Sequence, residues 1–193
     1  MTDVTDVRDL VSLQTVLFMV LFLQSSANLS SCYAHIGICL SSALRMGLHR
    51  SIDHKFDPIE QETRKRIFWC INKLDLYVGA LLGLPRTLNS EDIDQEEPLE
   101  VDDEYITSTG IGAMPPGQIS LMAGFNAHSR IVGILSKVVK YIYPTRNHQP
   151  GKLQTYIVSH ARIREIEHDL QNWMEELPAQ FKPDGGGSRQ FVR

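Results

Sequence analysis

Apolar positions in this chain recur at three- to four-residue spacing in five separate stretches, and no sustained run alternates with period two, so the pattern predicts helices throughout. The first stretch, Asp6 to Gln24, holds an unbroken apolar run from Val16 to Leu23. That run is too short to span a bilayer, which takes about 20 apolar residues. Being apolar nearly all round, it predicts a buried helix placed centrally among others. "SSANLSS" breaks the pattern, and Ser30 or Ser31 is the expected cap of a second helix reaching Met46, with Tyr33, Ile36, Leu40 and Leu44 (or Ala43) at helical spacing. Gly47 follows as its left-handed stop, and Leu48 is placed to fold back on Ala43.

Asp57-Pro58-Ile59-Glu60 is a start signal: Asp57 caps, Pro58 fits the first helical position, and Glu60 completes a capping box. The third helix runs to about Leu82 and gathers Ile67, Phe68, Ile71, Leu74, Val78 and Leu82 into one sector, with Gly83 and Pro85 ending it. Between Pro85 and Gln118 no period is sustained. A fourth helix, about Gln118 to Tyr143, carries Leu121, Phe125, Ile131, Leu135, Val138 and Ile142. A fifth, about Lys152 to Glu176, carries Ile157, Ala161, Ile166, Leu170, Trp173 and Leu177. The expectation is an all-α, bundle-like domain over 6–177, with a disordered 1–5, a long acidic irregular loop over 85–117 and a flexible tail over 178–193.

Composition narrows the class. A chain of 193 residues with 42% hydrophobic and 22% charged residues suits one soluble globular domain. A net charge of -4 is not the footprint of a nucleic-acid binder. Cys32, Cys39 and Cys70 lack the paired spacings of zinc ligands and read as free thiols in a reducing compartment. The acidic start "MTDVTDVRD" is unlike a secretory signal, so a cytosolic or nuclear protein with no membrane partner is expected.

The charge is unevenly spread. Glu91 to Glu104 holds nine acids and no base, and the rest of the chain then has 14 acidic against 19 basic residues, about +5. This loop is either simply solvated or docks on a basic surface through Glu91, Asp92, Asp94, Glu96 and Glu97.

Catalytic and metal chemistry finds little support. His49, Asp53 and His54 make a two-His, one-Asp metal site conceivable, but His49 near the end of the second helix reads better as a cation stabilising that terminus. Glu60 and Glu62 precede Arg64 and Arg66 by four residues, the spacing of helical ion pairs. Asp75 falls at the margin of the apolar sector and needs a partner if buried; Arg45, Arg50 and Arg86 are the candidates, with a catalytic acid of raised pKa as the alternative. Glu165 and His168 match half of a di-iron pattern whose second copy is missing. Gly110-Ile111-Gly112 is not a dinucleotide fingerprint, and the chain has neither Gly-x-Ser-x-Gly nor a P-loop. No catalytic residue, metal ligand or cofactor is therefore expected in this chain.

The order of certain residues says more. "ALRMGLHR" (Ala43 to Arg50), then "ETRKRIFWCINKLDLYVGALLGLPRTLNSEDID" (Glu62 to Asp94), then Pro98, resembles the middle region of fungal zinc-cluster transcription factors, most strongly over 28–98. On that resemblance Gly47, Leu48, His49 and Arg50 correspond to a helix-end turn. Arg64, Phe68, Trp69, Leu74 and Asp75 correspond to the family's central helix, and Gly83, Pro85, Asp92 and Asp94 to its acidic loop. Leu76 and Leu84 depart from the polar or basic residues common there.

The resemblance implies an all-α regulatory domain of a nuclear protein whose six-cysteine, two-zinc DNA-binding module is not in this chain, which would then be a fragment. DNA and zinc would be bound only through that module. Partners would be the module itself, co-regulators or a small-molecule effector, with Tyr33, Phe68, Trp69, Tyr77 and Phe125 as candidate pocket aromatics. The other readings are a helical interaction scaffold, or a helical metalloenzyme using His49, Asp53, His54 or Asp75.

Overall fold

A computed structural model describes residues 7–51, 56–142 and 159–182. Five helices carry the fold: α1 (Leu10–Ser25), α2 (Leu29–Arg45), α3 (Pro58–Leu82), α4 (Leu121–Ile142) and α5 (His160–Glu176). Each packs chiefly on its neighbour in sequence, so the helices form a consecutive array with α3 in the middle. Among the described residues the fold is all-α apart from one hairpin of two-residue strands, β1 (Ile106–Thr107) against β2 (Gly110–Ile111). No described helix is long and apolar enough to cross a membrane.

Local chemistry sets the ends. The Asp57 carboxylate accepts the Glu60 N–H at 3.0 Å, and Pro58 opens α3. The other half of the anticipated box is replaced, because Glu60 turns to Arg64 at 3.1 Å. Gly47 (φ 72) and Gly83 (φ 68) stop α2 and α3. Both stops are the six-to-one, five-to-two pattern: Leu48 N–H to Ala43 C=O with Gly47 N–H to Leu44 C=O, and Leu84 N–H to Gly79 C=O with Gly83 N–H to Ala80 C=O. Two starts differ from expectation. Asp9 sets the start of α1, accepting the Ser12 N–H at 2.8 Å, while Asp6 lies outside the described residues, and Asn28, earlier than Ser30 or Ser31, caps α2. In each case the capping side chain accepts from the amide three residues on.

One apolar core joins α1, α2 and α3, with Leu13, Val20, Ile36, Leu40, Phe68 and Ile71 fully or almost fully enclosed. The expectation of a central α1 is overturned. Val16, Leu17 and Val20 face the core, whereas Val11, Phe18 and Phe22 are each 71% exposed, because among the described residues only one side of α1 is covered. Leu82 lies past the enclosed part of α3 and is also exposed.

The α4 stripe is shifted too. Its buried residues are Ala123, Asn126, Ala127, Val132 and Ser136, while Leu121 is 82% exposed. That helix has two competing apolar stripes, and the smaller, more polar one faces inward, where Asn126 meets the Pro98 carbonyl and Gly124 the Phe181 ring. On α5, Ile166 and Leu177 are buried as expected, whereas Leu170 is exposed. Ile157 and the stretch 152–158 lie outside the described residues, as do 1–6 and 183–193. After Leu177 the chain makes a 3-10 turn, Ala179–Phe181, whose Phe181 ring lies over Gly124 of α4.

Candidate functional site

The backbone between α3 and α4 is laid as a strap over both helices. Its acids meet basic side chains presented by those helices. Lys65 holds Glu96 at 2.6 Å, Arg66 pairs with Asp103, and Arg130 grips Glu97 through two bonds, the shorter 2.7 Å. These pairs are mostly solvated and are worth about 0.2–1 kcal/mol each. Lys65 accordingly holds the Glu96 carboxyl below its ordinary range, and the Glu97 bond raises the Arg130 pKa.

Hydrogen bonds to the strap backbone, several of them shielded from solvent, add further anchors. Glu62 is only 3% exposed and accepts both the Leu99 N–H at 2.9 Å and Arg66 Nε at 3.2 Å. Asn126 donates to the Pro98 carbonyl at 2.8 Å, and Trp69 Nε1 donates to the Glu96 carbonyl at 2.7 Å. At the far end Asp102 caps α4: it accepts the Ser120 hydroxyl at 2.6 Å and the Leu121 N–H at 3.3 Å, an anion at a helix N-terminus.

The residues singled out in the sequence are the joints of this arrangement. The cation at the C-terminus of α2 is Arg64, reaching across from α3 to the Met46 carbonyl at 3.0 Å, and not His49. His49 acts through its backbone, whose carbonyl accepts the Asp94 and Gln95 N–H groups. Its ring accepts from Arg50 Nε at 3.2 Å and leaves Nδ1 buried without a partner. The Asp94 carboxylate accepts the Ser51 N–H at 3.1 Å, and Asp92 accepts the Asn89 N–H at 3.3 Å.

Asp75 is buried, 4% exposed, but no arginine answers it. Thr87, returned by the Pro85 turn, donates its hydroxyl at 2.8 Å and its N–H at 3.3 Å. Arg45 serves the Val7 carbonyl and Ser42, Arg50 serves His49, and Arg86 lies 3.5 Å from Ser90. Leu74 and Phe68 are core residues, and Phe68 meets Trp69 edge to face at 5.7 Å between centroids. Asp53 and His54 of the conceivable metal trio lie outside the described residues. Among the described residues no three His, Cys, Asp or Glu side chains come together as a metal site.

Beneath the strap a cleft of about 520 Å³ opens between α3, α4 and α5. Of the five candidate aromatics Trp69 lines it. Phe68 is sealed in the core, Tyr33 packs beside the core, Tyr77 is exposed, and Phe125 lies under the Lys73 ammonium, 3.8 Å from its ring centroid. Trp173 also lines the cleft. Sequence reasoning assigned it to the packing face of α5 and missed it. Nothing local marked it, since the opposite wall is about a hundred residues away in the chain.

The motif residues thus form a connected frame within this domain. The family model for the fungal specific transcription factor domain matches residues 2–175. The chain belongs to that family. Over 94% of its length this family member is 41% identical to the activator of stress genes protein 1 of Candida albicans and 40% identical to the activator of stress genes 1 of Saccharomyces cerevisiae. Over 90% of its length it is 31% identical to the transcriptional activator protein acu-15 of Neurospora crassa. The chain spans about a fifth of the length of these curated relatives. No solved structure matches it.

Proposed function

We propose that this fungal specific transcription factor domain is the regulatory part of a zinc-cluster factor, acting in the nucleus on DNA-templated transcription. DNA and zinc would be bound through a six-cysteine module elsewhere in that factor, and this chain would carry neither zinc nor a catalytic residue. The observation that carries the reading is the family match over 2–175, with relatives named as an activator of stress genes and a transcriptional activator. The frame described above supports it, because Arg64, Asp75, His49 and Asp94 are engaged in holding elements together.

The acidic segment is the regulatory element in this reading. Its acids are already shared with Lys65, Arg66 and Arg130, so a basic partner, either the factor's own DNA-binding module or a co-regulator, would compete with those three side chains. Such competition weakens as salt rises, with a screening length of about 8 Å at physiological ionic strength. The test is to neutralise Asp92, Asp94, Glu96 and Glu97 together in a factor carrying this domain and to read a reporter gene. Basal output and co-regulator binding are expected to change while the purified variant chain still folds. Unchanged output and binding would end the charge-competition reading. A small-molecule effector is the other expected partner, and the cleft under the strap is where this domain offers it room.

A further inference from the structure

The cleft has an unusual charge inventory. Four basic and three acidic side chains line it, which leaves one positive charge over. The acids are all taken: Arg130 holds Glu97 at 2.7 Å and lies 3.9 Å from Glu176, and Lys137 holds Asp169 at 2.5 Å. Lys73 and Arg86 remain, and no carboxylate among the described residues pairs with either. The nearest interactions are the Phe125 ring for Lys73 and the Ser90 hydroxyl at 3.5 Å for Arg86.

Burial lowers the Lys73 pKa, the mark of a cation held where its charge is poorly solvated. An arriving anion relieves that cost. The apolar part of the wall comes from Leu76, Ile93, Ile134 and the two tryptophans. Both indole N–H groups are already spent on backbone carbonyls, Trp69 on Glu96 and Trp173 on Ala127, each at 2.7 Å. Fixed this way, they offer the cleft ring surface and no free donor.

We propose that this cleft binds an organic monocarboxylate with an apolar body, the carboxylate received by Lys73 and Arg86 and the body lying against Trp69 and Trp173. The volume of about 520 Å³ falls in the range of small-molecule sites. One surplus positive charge suits a monoanion, whereas a phosphate dianion would leave the cleft with a net negative charge. The proposal deepens the effector reading above and can fail apart from it, since binding is read on the purified chain and regulation on a reporter.

The chain has two tryptophans, and both line the cleft, so tryptophan emission, excited at the red edge where its six tyrosines do not absorb, reports on this site. The probes are 3-cyclohexylpropionate and octanoate, which are optically silent, set against 3-cyclohexylpropionamide and propionate. At least one long carboxylate is expected to shift the emission saturably and to raise the Tm. The neutral amide and the short propionate are expected to bind about tenfold or more weakly. K73M or R86Q should cost the carboxylate about tenfold while leaving amide binding as in the wild type, and the Tm of each unliganded variant reports that the fold is kept. The proposal is overturned if neither carboxylate gives a saturable change, if the amide binds as well as the acid, or if both variants bind the acid like the wild type.

Discussion

Replacing Glu62 by alanine tests the strongest anchor between the strap and α3. The carboxylate is 3% exposed and accepts two bonds, from the Leu99 N–H at 2.9 Å and from Arg66 Nε at 3.2 Å. Truncation orphans a partly buried amide, which costs about 1–3 kcal/mol. It also removes the helical pair with Arg66, worth up to about 1 kcal/mol because Arg66 keeps Asp103 and the Val101 carbonyl. The expected loss is about 1–4 kcal/mol, or roughly 2–16 °C in Tm for a domain of this size. Glu62→Gln keeps an acceptor for Leu99 and is expected to lose about half as much. Glu60→Ala serves as the comparison: its carboxylate is more exposed, and the Arg64 pair it removes is worth about 0.3–0.5 kcal/mol. Urea unfolding followed by circular dichroism gives the three midpoints at constant slope. If Glu62→Ala falls within about 0.5 kcal/mol of Glu60→Ala, the carboxylate does not anchor the strap and the reasoning fails.

Thr87→Val removes the hydroxyl donor to a buried carboxylate and is expected to cost about 1–3 kcal/mol by denaturation, whereas Arg45→Gln and Arg50→Gln should leave Asp75 undisturbed. Lys65 lowers the folded-state pKa of Glu96, so the stability from that pair is fully present above about pH 5 and is lost as the pH falls through the lowered value. Glu96→Gln should flatten the stability–pH curve between about pH 5 and 3, and an unchanged curve would refute the pairing. Burial pushes the Cys39 thiol up to about 12 and also raises Cys32 and Cys70. Because the thiolate is the reactive form, thiol reagents at pH 8 should label the native chain slowly, and all three cysteines should react once urea unfolds it.

Much of this was legible in the sequence because it is local. The Asp57-Pro58 start, the Gly47 and Gly83 stops, and the Glu60–Arg64 and Glu62–Arg66 pairs each depend on residues within a turn or so of one another. The family was legible from the order of residues such as Gly47-Leu48-His49-Arg50 and Phe68-Trp69. Long-range partners were not. Asp75 was matched with arginines because charge was expected to meet charge, yet a threonine twelve residues on supplies two neutral donors. The acidity of Glu91 to Glu104 was plain, but Arg130 lies 33 residues beyond Glu97 and no local pattern links them. The apolar run of α1 misled for a different reason: apolarity reports what a helix face tolerates, and neighbours decide what is covered.

Hydrogen exchange of the strap amides tests most directly whether the acidic segment is docked on its own domain. The Leu99 N–H is bound to the Glu62 carboxylate, and the Asp94 and Gln95 N–H groups to the His49 carbonyl, so all three should exchange about a hundredfold or more slower than in an unstructured peptide. Exchange of these amides at the unstructured rate, while the interior of α3 stays protected, would mean that the segment hangs free and that its acids are not shared with Lys65, Arg66 and Arg130.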